Sequence, residues 1–306
     1  MFDHAFIDLP LLDRERSDRL REDKAALEKL WPHANVLLLN GEGHALSLPS
    51  GDRPWLLCGK DIAVNPQNVI FLGFDFGIAL FAVDIAWVDN DVELPETAQW
   101  VGLRHAGATW ASQPASIFSY ARSLHYWQSR NRFCGVCGGN IMFERGGVLA
   151  RCQQCDTEHY PRVDPAIIVS VTNRRRLLLG RQPKWEARRY SVLAGFVEPG
   201  ETFEQAVSRE VREETQIQIK NLCYVASQPW PFPSALMVGF HATAFDGSPV
   251  VDGELEDARW FSAEEISAAL RCEAVQDHSS TLTLPPRLSI ARTLLEQWLK
   301  QQAAGL

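Results

Sequence analysis

Gly195-Phe196-Val197-Glu198-Pro199-Gly200-Glu201, followed by Thr202 to Ile217 (TFEQAVSREVREETQI), decides how this chain reads. Pro199-Gly200 interrupts regular structure, and Thr202-x-x-Gln205 has the form of a capping box, so a helix is predicted to begin there. At about 100° per residue, Phe203, Ala206, Val207 and Val211 form an apolar stripe, while Glu204, Gln205, Ser208 and Arg212 occupy the solvent half. Glu210, Glu213 and Glu214 fall on the stripe's half of the helix. Like charges at i, i+3 and i+4 destabilise one another, and burying them unpaired costs far more. An oxygen-preferring divalent cation, Mg²⁺ or Mn²⁺, resolves the conflict. The segment therefore predicts a metal site and not a solvated or salt-bridged face.

The order Gly, five residues, Glu, seven residues, Arg-Glu-apolar-x-Glu-Glu resembles the Nudix box. Gly195, Glu201, Arg209, Glu210, Val211, Glu213 and Glu214 match it in register, and Ile217 fits its last apolar position. Gln216 departs, because the box usually has glycine there to leave the helix in a left-handed conformation. The resemblance implies hydrolysis of a nucleoside diphosphate linked to another group. It implies Glu210, Glu213 and Glu214 as metal ligands, with Glu201 and Arg209 pairing in support.

Upstream, Cys134-x2-Cys137, fourteen residues, and Cys152-x2-Cys155 have the spacing of a zinc ribbon. Four thiolates can meet one Zn²⁺ in a tetrahedron that leaves no open position, so the expected ion is structural. The alternatives are unconnected buried cysteines or a redox pair, and two such pairs so close together favour zinc. Between Asn131 and Tyr160, Arg132, Arg145 and Arg151 balance Glu144, Asp156 and Glu158, which makes the ribbon a poor nucleic-acid anchor. Cys58, Cys223 and Cys272 read as packing residues. An odd cysteine total argues against a disulfide scaffold and for the cytoplasm.

Downstream, Ser227-Gln228-Pro229-Trp230-Pro231-Phe232-Pro233 is too proline-rich for a central strand. A stiff loop presenting rings suits stacking on a base; a surface turn with a core tryptophan fits the same residues equally well. This heptapeptide, placed after a Nudix box and a four-cysteine ribbon, resembles the NADH pyrophosphatase (NudC-type) branch of the Nudix superfamily. The resemblance is good over residues 118–300 and covers the first 115 only in layout. It implies hydrolysis of NAD(H) to nicotinamide mononucleotide and AMP. It also implies Phe196 and Trp230 as rings for the nicotinamide, Tyr160 and Gln228 as further dinucleotide contacts, and Ala194 and Ala291 as backbone contacts. Glu254 is implied as a fourth Mg²⁺/Mn²⁺ ligand, with Glu256 its rival. Ala235 stands where the branch usually has serine, and Gly146-Gly147 where it often has a substrate-touching glutamate. Removal of an NAD cap from RNA is the alternative activity, for which Lys184, Arg188 and Arg189 are the candidate contacts; ADP-ribose is the alternative substrate. The resemblance further implies a homodimer.

Composition is consistent with this reading. The chain has 306 residues, 46% hydrophobic and 22% charged, and a net charge of −8 from 30 Lys+Arg and 38 Asp+Glu. Such an acidic chain is a poor non-specific binder of nucleic acid or anionic lipid. Met1-Phe2-Asp3-His4 lacks the basic start of a secretory leader. Val69 to Val88 is apolar, but Asp75 and Asp84 would each cost about 2.5–3.5 kcal/mol in a bilayer. It reads instead as two buried strands meeting near Asp75-Phe76-Gly77. The expected class is α+β: a β-rich N-terminal domain over 1–115, a linker helix and ribbon over 116–160, and a Nudix α/β/α sandwich with a mixed sheet over 161–306.

Overall fold

The computed structural model describes residues 14–65, 68–89, 91–94, 96–251, 253–275 and 281–304. The Met1–His4 opening and Asp252 lie outside the described residues. The chain divides into two units, Met1–Arg162 and Val163–Leu306.

In the first unit the stretch from Arg14 to Leu30 forms two helices, α1 (Arg14–Glu22) and α2 (Lys24–Leu30). Asp23 separates them by capping α2, its carboxylate accepting from the Ala26 N–H at 2.9 Å. Six strands follow: β1 (Asn35–Leu39), β2 (Ala45–Ser47), β3 (Leu56–Cys58), β4 (Val69–Asp75), β5 (Ile78–Asp84) and β6 (Gln99–Val101). They form one sheet in the order β4-β5-β1-β2-β6, with β3 also beside β1. The apolar run from Val69 is indeed a hairpin, turned by Phe76 and Gly77 at φ 46° and 81°. Val36, Leu38, Phe71, Phe81 and Val83 make its core. Helices α3 (Leu103–Thr109) and α4 (Ser112–Arg130) lead into the ribbon strands β7 (Ile141–Glu144), β8 (Leu149–Cys152) and β9 (Glu158–His159).

The second unit holds β10 (Asp164–Asn173), β11 (Arg176–Arg181), β12 (Leu193–Phe196), α5 (Phe203–Thr215), β13 (Ile219–Trp230), β14 (Ala235–Ala244), β15 (Asp257–Ser262), α6 (Ala263–Ala274) and α7 (Ile290–Ala303). The sheet order is β13-β14-β10-β11-β15, with β12 against the first half of β10. β10 and β14 are parallel and the other pairs antiparallel, which gives the mixed sheet. Alternation along the strands sends Ile167, Val169 and Val238 to one face, where Ala206, Val207 and Val211 of α5 cover them. The other face receives α7. A Cβ at Gly239 would lie 2.9 Å from Ile290 Cδ1, so glycine lets α7 settle on the sheet. β13 ends at Trp230 and includes Pro229. It is an edge strand, where a missing N–H is tolerated.

Candidate active site

Helix α5 starts at the predicted capping box: Thr202 Oγ1 accepts from the Gln205 N–H at 3.2 Å, and Gln205 Oε1 accepts from the Thr202 N–H at 2.8 Å. It ends at Gln216, which adopts φ 58° and donates its N–H to Arg212 O at 2.7 Å. The left-handed exit is therefore kept with a residue that has a Cβ, at a cost of about 1–2 kcal/mol. Ala206, Val207, Glu210, Val211 and Glu214 are buried, while Glu204, Gln205, Ser208 and Arg212 are exposed. Glu213, expected on the buried half with the other two glutamates, lies at the exposed margin. Phe203, expected in the apolar stripe, is 39% exposed at the helix start.

Arg209 organises the surroundings. Its Nε donates to Glu201 Oε1 at 2.7 Å and its Nη2 to Glu201 Oε2 at 2.9 Å. Nη2 also donates to Phe196 O at 2.9 Å, and Nη1 to Glu210 at 2.8 Å and Glu213 at 3.2 Å. All five guanidinium N–H groups are thus used. They tie the loop after β12 to two helix glutamates. Glu201 also accepts from the Glu198 N–H at 3.0 Å. Its acid falls to about 2, mainly through Arg209 and then through that backbone bond.

Glu210 and Glu214 behave differently. Burial raises the acid of Glu210 even against the pull of Arg209. Glu214 rises to about 8, by burial first and then by the charges of Glu210 and Glu254. Glu214 Oε2 is buried with no hydrogen-bond partner. A Cβ at residue 195 would fall inside the Glu210 carboxyl group, so glycine is what lets β12 lie against it. Two buried carboxylates, one with an orphaned oxygen, are a fitting donor set for a hard divalent cation. Of the two rivals for an outer ligand, Glu256 is committed to Arg181 at 2.7 Å, whereas the charge of Glu254 acts on both Glu210 and Glu214.

Ala194, Phe196, Gln228 and Trp230 share the opposite, α7 face of the sheet. In the register, Phe196, Ala166, Met237 and Gln228 form one row, with Trp230 two residues further along. Phe196 is 60% exposed, and Trp230 meets Phe232 edge-on at 5.0 Å. Gln228 is nearly fully buried. Its amide donates to Leu288 O and accepts from the Ile290 N–H, both at 2.7 Å, and so fixes the start of α7. The Ala291 N–H is directed to Ser289 Oγ at 3.2 Å. Tyr160 belongs to the first unit, exposed and donating to Glu158.

In the ribbon the ligand atoms of Cys134, Cys137, Cys152 and Cys155 all lie within 4.8 Å of one another. Cys134–Cys155 is 3.7 Å and Cys137–Cys152 is 3.4 Å. A tetrahedron with Zn–S bonds of about 2.3 Å has edges of about 3.8 Å, so the site fits Zn²⁺. The N–H groups of Val136, Gly139, Gln154 and Cys155 point at the sulfurs at 3.4 Å and stabilise thiolate charge. Arg151 gathers Glu144, Asp156 and Glu158 around itself, which neutralises its charge.

Comparison with known proteins agrees with this geometry. Residues 161–282 match the NUDIX domain, 129–160 the NADH pyrophosphatase zinc ribbon domain, and 30–127 the NADH pyrophosphatase-like rudimentary NUDIX domain. A Mycobacterium bovis protein named NAD-capped RNA hydrolase NudC is 37% identical over 306 residues, covering 95% of each chain. The chain belongs to the NudC family of Nudix hydrolases. Proteins of the same name from Stutzerimonas stutzeri and Pseudomonas aeruginosa are 42% and 39% identical, over 67% and 71% of this chain and 69% and 73% of theirs.

Gly146-Gly147 has a packing reason. A Cβ on Gly147 would come within 2.7 Å of Gln128 Nε2 and 3.2 Å of Val69 O, and one on Gly146 within 2.9 Å of Phe71 Cβ. The glycines let the ribbon close onto β4. Of the basic loop, Arg189 stacks on Trp185 at 5.7 Å, and Lys184 and Arg188 are exposed. Two features had no sequence signal: the Phe196 carbonyl as an Arg209 acceptor, and Gln228 as a clamp on α7.

Proposed function

We propose that this NudC-family chain hydrolyses the diphosphate of NAD(H) to nicotinamide mononucleotide and AMP, and by the same chemistry removes the NAD cap from RNA. The observation that carries the reading is the orphaned, buried oxygen of Glu214 beside Glu210, on a helix whose other acids are ordered by Arg209. Nudix hydrolases use Mg²⁺ or Mn²⁺, which when bound neutralises diphosphate charge and activates water. Glu210, Glu213, Glu214 and Glu254 are the residues assigned to hold it. Arg209 and Glu201 fix the loop so that the carboxylates need not reorganise during reaction.

The dinucleotide's bases are assigned to the other side of β12. Gly195 gives its bare face to Glu210, and the adjacent Phe196 sends its ring to the α7 face. β12 pairs with β10 off the main sheet path, and a bent dinucleotide is expected to wrap its edge. There Phe196 and Trp230 flank Ala166 and Met237 and offer rings for stacking. Ala194, Ala291 and Tyr160 are assigned to substrate contact, and Gln228 to holding Ala291 in place. The RNA activity is supported by the names of the relatives. A homodimer and a cytoplasmic location complete the proposal; no helix among the described residues is long and apolar enough to cross a membrane.

The test is to incubate the protein and Mn²⁺ with equal concentrations of NADH, NAD⁺, ADP-ribose and NAD-capped RNA, with Trp230→Ala alongside. Faster cleavage of the nicotinamide dinucleotides than of ADP-ribose, lost selectively in the variant, is expected. Preference for ADP-ribose overturns the substrate assignment, and salt-sensitive activity confined to capped RNA makes RNA the substrate.

A further inference from the structure

The stretch that carries Glu254 lies outside helix and strand, just before β15 begins at Asp257, and Glu254 itself is exposed. An exposed carboxylate on irregular backbone loses conformational freedom when it takes up a ligand, and that cost falls if the backbone is fixed beforehand. The next two residues are where this chain fixes it. Leu255 is buried, at 4% exposure. A Cβ at Gly180 would lie 2.8 Å from Leu255 Cδ1, so the bare glycine near the end of β11 makes room for that side chain. The Glu256 N–H donates to Arg181 O at 2.8 Å, and Arg181 Nε donates to Glu256 Oε2 at 2.7 Å. Arg181 thus holds Glu256 by main chain and side chain together.

The same guanidinium reaches the loop that follows β11. Its Nη1 donates to Glu186 O, and its Nη2 to Trp185 O at 3.2 Å. Its side chain is 14% exposed, against 51% for Glu256, so the clamp is mostly shielded from water on the Arg181 side. A planar fork that spans three acceptors on two segments fixes their relative position, which a lysine ammonium does not. The charge of Glu254 acts on both Glu210 and Glu214, so the clamped stretch lies within electrostatic reach of the α5 acids. We propose that Arg181 is the positioning residue for Glu254: its grip on Glu256 holds the neighbouring carboxylate ready for the cation that Glu210 and Glu214 bind. Glu256 is then the handle by which Glu254 is held and is not itself a ligand. This role rests on the reading of Glu254 as a metal ligand and deepens it.

The test measures binding of Mn²⁺ alone to the full chain, from the spin-resonance signal of the free ion, with no substrate present. Arg181→Met keeps the aliphatic stem and removes the fork, and it is combined with Glu254→Gln in a double-mutant cycle. Alone, Arg181→Met is expected to weaken Mn²⁺ binding about 10-fold, the lower end of what residues that orient ligands contribute. In the Glu254→Gln background the same change is expected to cost less than about twofold, because the carboxylate it positions is gone. Glu256→Ala cuts the link from its exposed end and is expected to repeat this pattern, with melting temperature and zinc content as in wild type. If Arg181→Met does not melt cooperatively, Glu256→Ala decides alone. An equal loss in both backgrounds, or no loss from either substitution, overturns the proposal. Mn²⁺ affinity untouched by Glu254→Gln alone overturns the ligand assignment and the proposal with it, and that single variant tells the two failures apart.

Discussion

The two metal-binding regions of this chain solve opposite problems. In the ribbon, four sulfurs already converge at tetrahedral spacing, and backbone N–H groups carry their charge. Four thiolates complete a tetrahedron, so no coordination position is left over. On helix α5 the acids do not converge in that way. Arg209 holds Glu201, Glu210 and Glu213 by four of its N–H groups and the Phe196 carbonyl by the fifth, while Glu214 is buried with an unsatisfied oxygen. A closed thiolate site stores folding energy; an open carboxylate site is held ready by a cation that is part of the protein. The difference predicts that the same kind of substitution will be read as stability in one region and as rate in the other.

Cys152→Ser breaks the comparison hardest. Structural zinc in isolated fingers is worth about 10–16 kcal/mol, and removing one of four ligands is expected to abolish zinc retention. Cooperative melting of the first unit is lost with it, as checked by metal analysis and calorimetry. Glu213→Gln, at the exposed margin of α5, is expected to lower kcat by about 10²- to 10³-fold, as removal of one electrostatic stabiliser does elsewhere, with Tm and zinc content unchanged. Arg209→Lys keeps the charge but loses the fork that spans Glu201, Phe196 O and the helix. A loss of about 10- to 100-fold in Mn²⁺ affinity or activity, typical of residues that orient ligands, is expected in a metal titration.

The pH dependence sharpens the contrast. In the metal-free protein the Glu214 acid stands at about 8 instead of 4.5, through burial and then the Glu210 and Glu254 charges. A raised folded value favours the protonated protein, so this contribution to stability is present below pH 4.5 and is lost as pH rises to about 8. Thermal melts of metal-free protein should therefore fall across that window, less so for Glu214→Gln, while Mn²⁺ affinity rises because the ligand must ionise. The smallest effect is expected from Gln216→Gly, which relieves a left-handed Cβ and should stabilise by about 1 kcal/mol in chemical denaturation, with activity unaffected.

Much of this site was legible in sequence because its determinants are local. The Thr202–Gln205 box, the 3.6-residue stripe and the cysteine spacing each lie within one helix or one hairpin; the box and the spacing are found in the structure, and of the stripe Ala206, Val207 and Val211 are buried while Phe203 is exposed. At about 100° per residue Glu214 lies near the centre of the stripe and Glu210 close to it, whereas Glu213 falls at its margin, which is why Glu213 surfaces and the other two do not. What was illegible depends on residues far apart in the chain. The bonds of Gln228 to Leu288 and Ile290, some sixty residues away, which fix the start of α7, had no signature in sequence. The separation of α1 from α2 at Asp23 depends on one side-chain cap that periodicity does not see. Gly146-Gly147 looked like a missing contact, and only the approach of β4 and α4 explains why nothing larger fits.

The most direct test follows NADH hydrolysis and zinc content together while a mild chelator strips Mg²⁺ and Mn²⁺. The account predicts that activity disappears with zinc still bound to the four cysteines, and returns on adding Mn²⁺ to wild type but not to Glu213→Gln. Activity that persists without added divalent cation, or that rises and falls with zinc, would contradict it.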